Sequence, residues 1–195
     1  MATRHLYVVR HGAADPFGEL TSTGEQQVHL LGKRLAHLPI DAVWHSPLSR
    51  AASTAQILGE HLTNAPVGEA PELVDHIPHV PATPPPAWAG FFDGFDATEA
   101  AAGAHLAESL TTRFAHPTET ESHEVLVTHA YQVAWLVRHA LEAPADRWLA
   151  MSCGNTALTA LQFRDGTPPT LLLYNDMSHL PAELRWTGFG PGTRP

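Results

Sequence analysis

Arg10-His11-Gly12 sets a guanidinium, an imidazole and a flexible backbone residue side by side. A guanidinium offers a planar fork of donors suited to the oxygens of a phosphate. An imidazole is largely neutral near pH 7, so it is a potential nucleophile or proton carrier. Fourteen histidines make a chance His-Gly pair easy, so the tripeptide gains meaning only from partners elsewhere. His129 is one, because it follows the apolar run Val125-Leu126-Val127-Thr128 as His11 follows the run from His5 to Val9. Arg50 is another. It falls in what reads as the first turn of a helix, where the helix dipole disfavours a cation by about 0.3–1 kcal/mol. An anion bound nearby would explain it; so would a capped carboxylate or a solvated side chain.

These side chains need elements to position them. Residues 5–9 and 124–128 read as buried strands. If they run parallel in one sheet, His11 and His129 open onto the same edge, and ligands of open α/β sheets bind at the carboxyl ends of strands. Between them, Ser22-x-x-Glu25 has the form of a capping box ahead of Val28, Leu31, Leu35 and Leu38 at helical spacing. Ala42 to His45 reads as a short strand, and Ser46-Pro47 as the N-cap and first residue of a second helix. Residues 67–88 are rich in proline and read as a long stiffened loop with one short strand near Leu73. A loop of this length in a compact domain is usually functional or disordered. A third helix is expected over 98–114, a fourth over 131–141, and further strands over 157–163 and 170–174. The alternation predicts an α/β three-layer sandwich, a mostly parallel central sheet with helices on both faces. The expected organisation is one domain over residues 1–180 with a weakly ordered Pro/Gly-rich tail over 181–195.

Bulk properties narrow the function classes. The chain has 195 residues, 44% of them hydrophobic and 16% charged, which suits one compact α/β domain. A formal net charge of −9 argues against a nucleic-acid partner, which requires a basic face. A small anionic substrate is still compatible, since one pocket can be locally positive. Cys153 is the sole cysteine, so neither an intrachain disulfide nor a CxxC site is expected. No apolar run reaches the roughly 18–20 residues that span a membrane, so no membrane partner is expected. Residues 1–4 lead straight into the first strand, so the expected location is cytoplasmic.

Read together and in order, Arg10-His11-Gly12, Leu20-Thr21-x-x-Gly24-x-x-Gln27, Ser46-x-x-x-Arg50-Ala51 and Val127-Thr128-His129-Ala130 resemble the histidine phosphatase superfamily. The resemblance continues at Asn155-Thr156-Ala157-Leu158 and Asn175-Asp176-x-x-His179-Leu180, and the compact length points to the phosphoglycerate mutase-like branch. It implies that His11 attacks phosphorus to give a covalent phosphohistidine. It implies also that Arg10, Arg50, His129 and Ala130 hold the phosphoryl oxygens, with no metal and no cofactor. The implied activity is phosphomonoester hydrolysis on a phosphorylated small molecule, with a phosphoprotein as a further possibility. A mutase-type phosphotransferase and a non-catalytic phosphate-binding module are the alternatives. Against a mutase, Ala13 to Phe17 lacks the Glu-Thr-x-x-Asn usual there, and the inserted segment that closes over the mutase substrate is missing. Both histidines, both arginines and an available acid argue against a dead scaffold.

Such a reaction requires a group that protonates the leaving oxygen and later deprotonates water. In the family this carboxylate lies in a Leu-x-Glu element after the third strand. Asp75 occupies the matching position here, Glu72 is the nearest glutamate, and His76 is a third candidate. His76-x-x-His79 lacks a third metal ligand at a diagnostic spacing, and His5, His105, His116, His123 and His139 carry no motif. His45 reads as a strand-end residue at the pocket rim or in packing, and His179 as structural. Trp88, Phe91, Phe92 and Phe95 form either an apolar lid on the leaving-group pocket or a satellite core.

Overall fold

The computed structural model describes residues 2–189. Six strands form one sheet in the order β3-β2-β4-β1-β5-β6: β1 (Thr3–Arg10), β2 (Ala42–His45), β3 (Val67–Glu69), β4 (Ser122–Thr128), β5 (Leu158–Arg164) and β6 (Thr170–Asp176). β3, β2, β4 and β1 are parallel, while β5 runs antiparallel to both β1 and β6. The helices are α1 (Ser22–Leu35), α2 (Ser49–His61), α3 (Ala97–Phe114) and α4 (Ala130–Ala140).

The two-residue period of the strands divides the core into two layers. Leu6, Val8 and Leu126 face Leu110, Phe114 and Leu136 of α3 and α4. Val9, Val125 and Val127 face Val28, Leu31, Ala55 and Leu58 of α1 and α2. β4 is buried along nearly its whole length because helices cover both faces, as the near-continuous apolar run from Val125 to Val127 requires. The observed architecture is the three-layer α/β sandwich expected.

Several local expectations are corrected. α1 is capped by Thr21, not Ser22, and the Thr21 hydroxyl accepts from Gly24 N at 3.1 Å. α2 starts at Ser49, and its N-cap Leu48 supplies no side-chain cap; the Ser46 hydroxyl is engaged elsewhere. The short strand in the proline-rich segment is β3, while Leu73 lies in the 3-10 turn Pro71–Leu73. α3 begins one residue before the expected start because Asp96 and Glu99 form a full capping box. The tail is packed rather than loose where it is described. Gln27 donates to Leu184 O and Thr187 Oγ1, and Asn155 N donates to Thr187 O. The rest of that tail, 190–195, lies outside the described residues.

Candidate active site

Three neighbouring parallel strands deliver the site from their carboxyl ends. β2 runs into Ser46, β4 into His129 and β1 into His11. The ladders extend one step beyond the strands, with His11 N donating to Thr128 O and Ser46 N to Val127 O, each at 3.0 Å. This register brings the rings of His11 and His129 to a centroid separation of 5.1 Å.

The backbone around His11 is tied down from four directions. Asn155 Nδ2 donates to His11 O at 2.9 Å, and Thr156 N donates to Arg10 O. Gly12 N donates to Thr54 Oγ1 at 3.1 Å and Ala13 N to Gln27 Oε1 at 2.9 Å. Gly24 lies so close to this loop that a Cβ there would come within 2.1 Å of Ala13 O. These contacts give structural reasons for Gly24, Gln27 and Asn155-Thr156 in the sequence motifs.

The His11 side chain is buried, and its tautomer is fixed. Nδ1 lies 2.8 Å from Gly12 O, which can only accept, so Nδ1 carries the proton. Nε2 is then the unprotonated nitrogen, and Arg50 Nε donates to it at 3.1 Å. Burial, with the charges of Arg10 and Arg50, pushes the His11 pKa down to about 3. His129 is held similarly. Arg50 Nη2 is 3.3 Å from its Nδ1, so the proton sits on Nε2, which donates to Ser46 Oγ at 2.8 Å. Burial first, then His11 and the two arginines, lower its pKa to about 2. Both imidazoles are therefore neutral at physiological pH.

Arg10 reaches the site from the end of β1. Its Nη1 donates to Cys153 O at 2.9 Å and to Gly188 O at 3.1 Å, while its buried Nε has no partner among the described residues. Gly188 has φ +83°, and a Cβ there would lie 2.5 Å from Arg10 Nη1, so the close approach requires glycine. Cys153 itself is buried, with its thiol pKa pushed up to about 11, so it is no nucleophile. Ala130 is the first residue of α4, whose N-cap His129 provides no side-chain cap. Its N–H therefore belongs to the set that a helix leaves free for an anion.

Of the three acid candidates, Asp75 lies in the cleft. Its Oδ2 is 3.0 Å from Arg50 Nη2 and 3.8 Å from His129 Nδ1, with the side chain 38% exposed. Removal from water raises its pKa, against the opposing pull of Arg50 and Arg10. Glu72 points elsewhere. It is bound by Arg113 Nη1 at 2.7 Å, and that guanidinium stacks on Trp44 at 4.5 Å. His76 is tied to Val74 O through Nδ1 at 2.8 Å and packs against Gln132.

The cleft has two lobes of about 290 Å³ each that share Arg10, His11 and Asp75. One is walled by Trp88, Ala130, Tyr131, Ser152 and Gly188. The other is bounded by the Ala14–Gly18 loop and Arg50, with Phe17 91% exposed on that loop. The aromatic segment divides between the two roles considered. Phe92 is buried against Trp148 and Leu149, while Trp88 reaches from the same cluster into the cleft wall. Ser46 stood in a motif but with no role at the site, and Tyr131 and Ser152 had no motif to mark them. The extended ladder brings in Ser46, and the start of α4 and the loop before β5 bring in Tyr131 and Ser152.

A family model described as "Histidine phosphatase superfamily (branch 1)" matches residues 6–77 and 93–177. Among curated proteins, the chain is 31% identical over 192 residues to a Caenorhabditis briggsae protein named "Serine/threonine-protein phosphatase Pgam5, mitochondrial". That match covers 95% of this chain and 68% of the relative. The chain spans about two thirds of the length of the curated relatives it matches. Two solved structures share the fold. Bacillus stearothermophilus YhfR has a TM-score of 0.67 at 20% identity, over 90% of this chain and 98% of that one. A Plasmodium falciparum phosphoglycerate mutase has a TM-score of 0.64 at 22% identity, over 94% and 97%. The mitochondrial names of the curated relatives overturn the expectation of a cytoplasmic location.

Proposed function

The chain belongs to the histidine phosphatase superfamily and is a phosphomonoester hydrolase that works through phosphohistidine; on that premise we propose residue roles and a substrate class. His11 Nε2 attacks phosphorus in line with the leaving oxygen, forming the N–P bond as the P–O bond breaks. Arg10, Arg50, His129 and the Ala130 N–H hold the three equatorial oxygens, where charge spreads in the transition state. Asp75, protonated, gives its proton to the leaving oxygen. As carboxylate it then takes a proton from the water that attacks phosphohistidine, which frees His11 and inorganic phosphate.

The substrate we propose is a phosphorylated serine or threonine side chain of a protein. The observation that carries this reading is the two-lobed cleft, open on both sides of His11, with Trp88 and Tyr131 on one flank and exposed Phe17 on the other. Chain can run out of both lobes, and the aromatic walls suit apolar neighbours of the phosphorylated residue. The serine/threonine-protein phosphatase names of the curated relatives favour the same class.

The test compares kcat/KM for a phosphoserine peptide with apolar flanking residues, free phosphoserine and 3-phosphoglycerate. The peptide is expected to be better by about tenfold or more, and Trp88→Ala is expected to erase most of that advantage. Equal or better turnover of 3-phosphoglycerate would reject the peptide reading.

A further inference from the structure

At the opposite end of the sheet from the cleft, His5 of β1 and His123 of β4 are direct partners in the parallel ladder. Their rings stack with centroids 4.1 Å apart and planes within 3°. Both Nε2 atoms approach one carboxylate oxygen, Glu121 Oε1, at 3.8 Å for His5 and 3.4 Å for His123. The three ligand atoms all lie within 4.8 Å of one another. We propose that His5, His123 and Glu121 bind a divalent transition-metal ion of the zinc type, at a site separate from the phosphate cleft.

The spacing of the ligand atoms is close to that of a bound ion, although the ring planes are not yet turned to it. Zinc bonds of about 2.0–2.1 Å in tetrahedral geometry put neighbouring ligand atoms about 3.4 Å apart. One edge of the triangle already has that length. The rings, stacked within 3° of parallel, hold their Nε2 lone pairs side by side. Binding therefore requires the two planes to open until both lone pairs meet at the ion, with Glu121, 67% exposed, moving to complete the set.

The outer contacts fit as well. Metal-bound imidazoles give their second N–H to a fixed acceptor. Tyr7 OH lies 3.1 Å from His123 Nδ1 and can accept that proton. The Gln162 amide lies 3.2 Å from His5 Nδ1 through Nε2, and its oxygen serves as acceptor when the amide is turned about its last bond. Each Nε2 then keeps its lone pair for the ion. Both rings are mostly shielded, with 18% and 14% of their side chains exposed, which limits competition from water. Arg164 adds a positive charge near His5, and the carboxylates of Glu121 and Asp41 oppose it, Asp41 accepting from His123 N at 2.8 Å. With two imidazoles, one carboxylate and an open fourth position, borderline metals are favoured over magnesium or calcium, which prefer all-oxygen sets.

The test uses the full chain without a polyhistidine tag, stripped with chelator and titrated with Zn2+ by calorimetry. His11→Asn is used as the background, so that the cleft histidines do not act as a pair. One equivalent is expected to bind at micromolar Kd or tighter, with two imidazoles and an oxygen seen by X-ray absorption. Glu121→Gln, an exposed change that leaves the fold intact, is expected to weaken binding at least tenfold. Tyr7→Phe should weaken it about 10–100-fold. With His11 restored, Glu121→Gln is expected to keep full phosphatase activity. Binding no tighter than millimolar, or binding unchanged by Glu121→Gln and His123→Gln, would overturn the proposal.

Discussion

Arg50 Nε donates to His11 Nε2 at 3.1 Å, so in the free protein the lone pair of the proposed nucleophile is covered by the guanidinium proposed to receive the phosphate. Arg50 also bonds Asp75 Oδ2 at 3.0 Å and meets His129 Nδ1 at 3.3 Å. A phosphate dianion is a stronger acceptor for these donors than a neutral imidazole. On the proposed mechanism, its arrival draws Arg50 away and uncovers His11. The dianion also places negative charge beside Asp75, which favours the protonated acid that the first step requires.

Arg50→Ala is accordingly expected to lower kcat/KM by about 10²–10³, the size of effect seen when one donor to a developing oxyanion is removed. Arg50→Lys should recover only part of this, since an ammonium cannot reproduce the planar fork. Steady-state kinetics with an aryl phosphate measures both. Full activity in the lysine variant would mean that charge alone suffices.

Asp75→Asn should damage turnover of alkyl phosphates much more than that of aryl phosphates, whose leaving oxygens need little protonation. The pH profile has a definite sign. As the proposed acid, Asp75 acts when protonated, and its removal from water raises its pKa from the ordinary aspartate value, against the pull of Arg50 and Arg10. Alkyl phosphate turnover is therefore present at acid pH and falls as pH rises through that raised value, and Asp75→Asn abolishes this limb. Glu72→Gln, which breaks a pair with Arg113, should change stability while leaving the alkyl-to-aryl ratio intact.

The strands and most of the residues that the structure gathers in the candidate site were readable from the chain because they are local. Arg10-His11 and His129 each follow an apolar run, and a run of that kind fixes both a strand and where it ends. Asp75 was one of three acid candidates, and only the fold shows which of them lies in the cleft. The placement of Glu72 away from the cleft depends on Arg113, which sits on the far end of α3 and stacks on Trp44, a contact that no sequence spacing encodes. Ser46 shows the opposite failure. Its type and the following proline suggested a helix cap by local rules, yet the helix starts later and the hydroxyl accepts from His129. The tail misled for a similar reason. Gly188 signals looseness in sequence, but in the fold its positive φ lets the chain approach Arg10.

Ser46→Ala should leave the buried His129 Nε2–H without an acceptor. A loss of about 1–3 kcal/mol in unfolding free energy is expected, together with a lower kcat, because the ring is no longer held in the tautomer that turns Nδ1 to the cleft. Denaturant melts and kinetics check the two effects separately. Unchanged kcat would remove the positioning role of this contact.

The depressed pKa values of His11 and His129 make the free enzyme acid-sensitive. In the unfolded chain both titrate near 6.5, while in the fold they stay neutral down to about 3 and about 2. The unfolded state thus binds more protons below pH 6.5. Stability is full above that value and falls by roughly 1.4 kcal/mol per pH unit for each histidine as pH drops toward the folded values. Urea melts from pH 7 to pH 4.5 should show this slope, and His11→Asn should reduce it by about one proton. A slope unaffected by that substitution would place the acid sensitivity elsewhere.

The proposed mechanism turns on the covalent step at His11. Rapid quench of the enzyme with a 32P-labelled aryl phosphate, followed by alkaline peptide mapping, measures it directly. The prediction is an acid-labile, alkali-stable phosphate on the peptide that contains His11, formed and consumed at rates compatible with turnover and absent in His11→Ala, which should have no activity. Turnover that persists in His11→Ala, or label on another residue, would contradict the account.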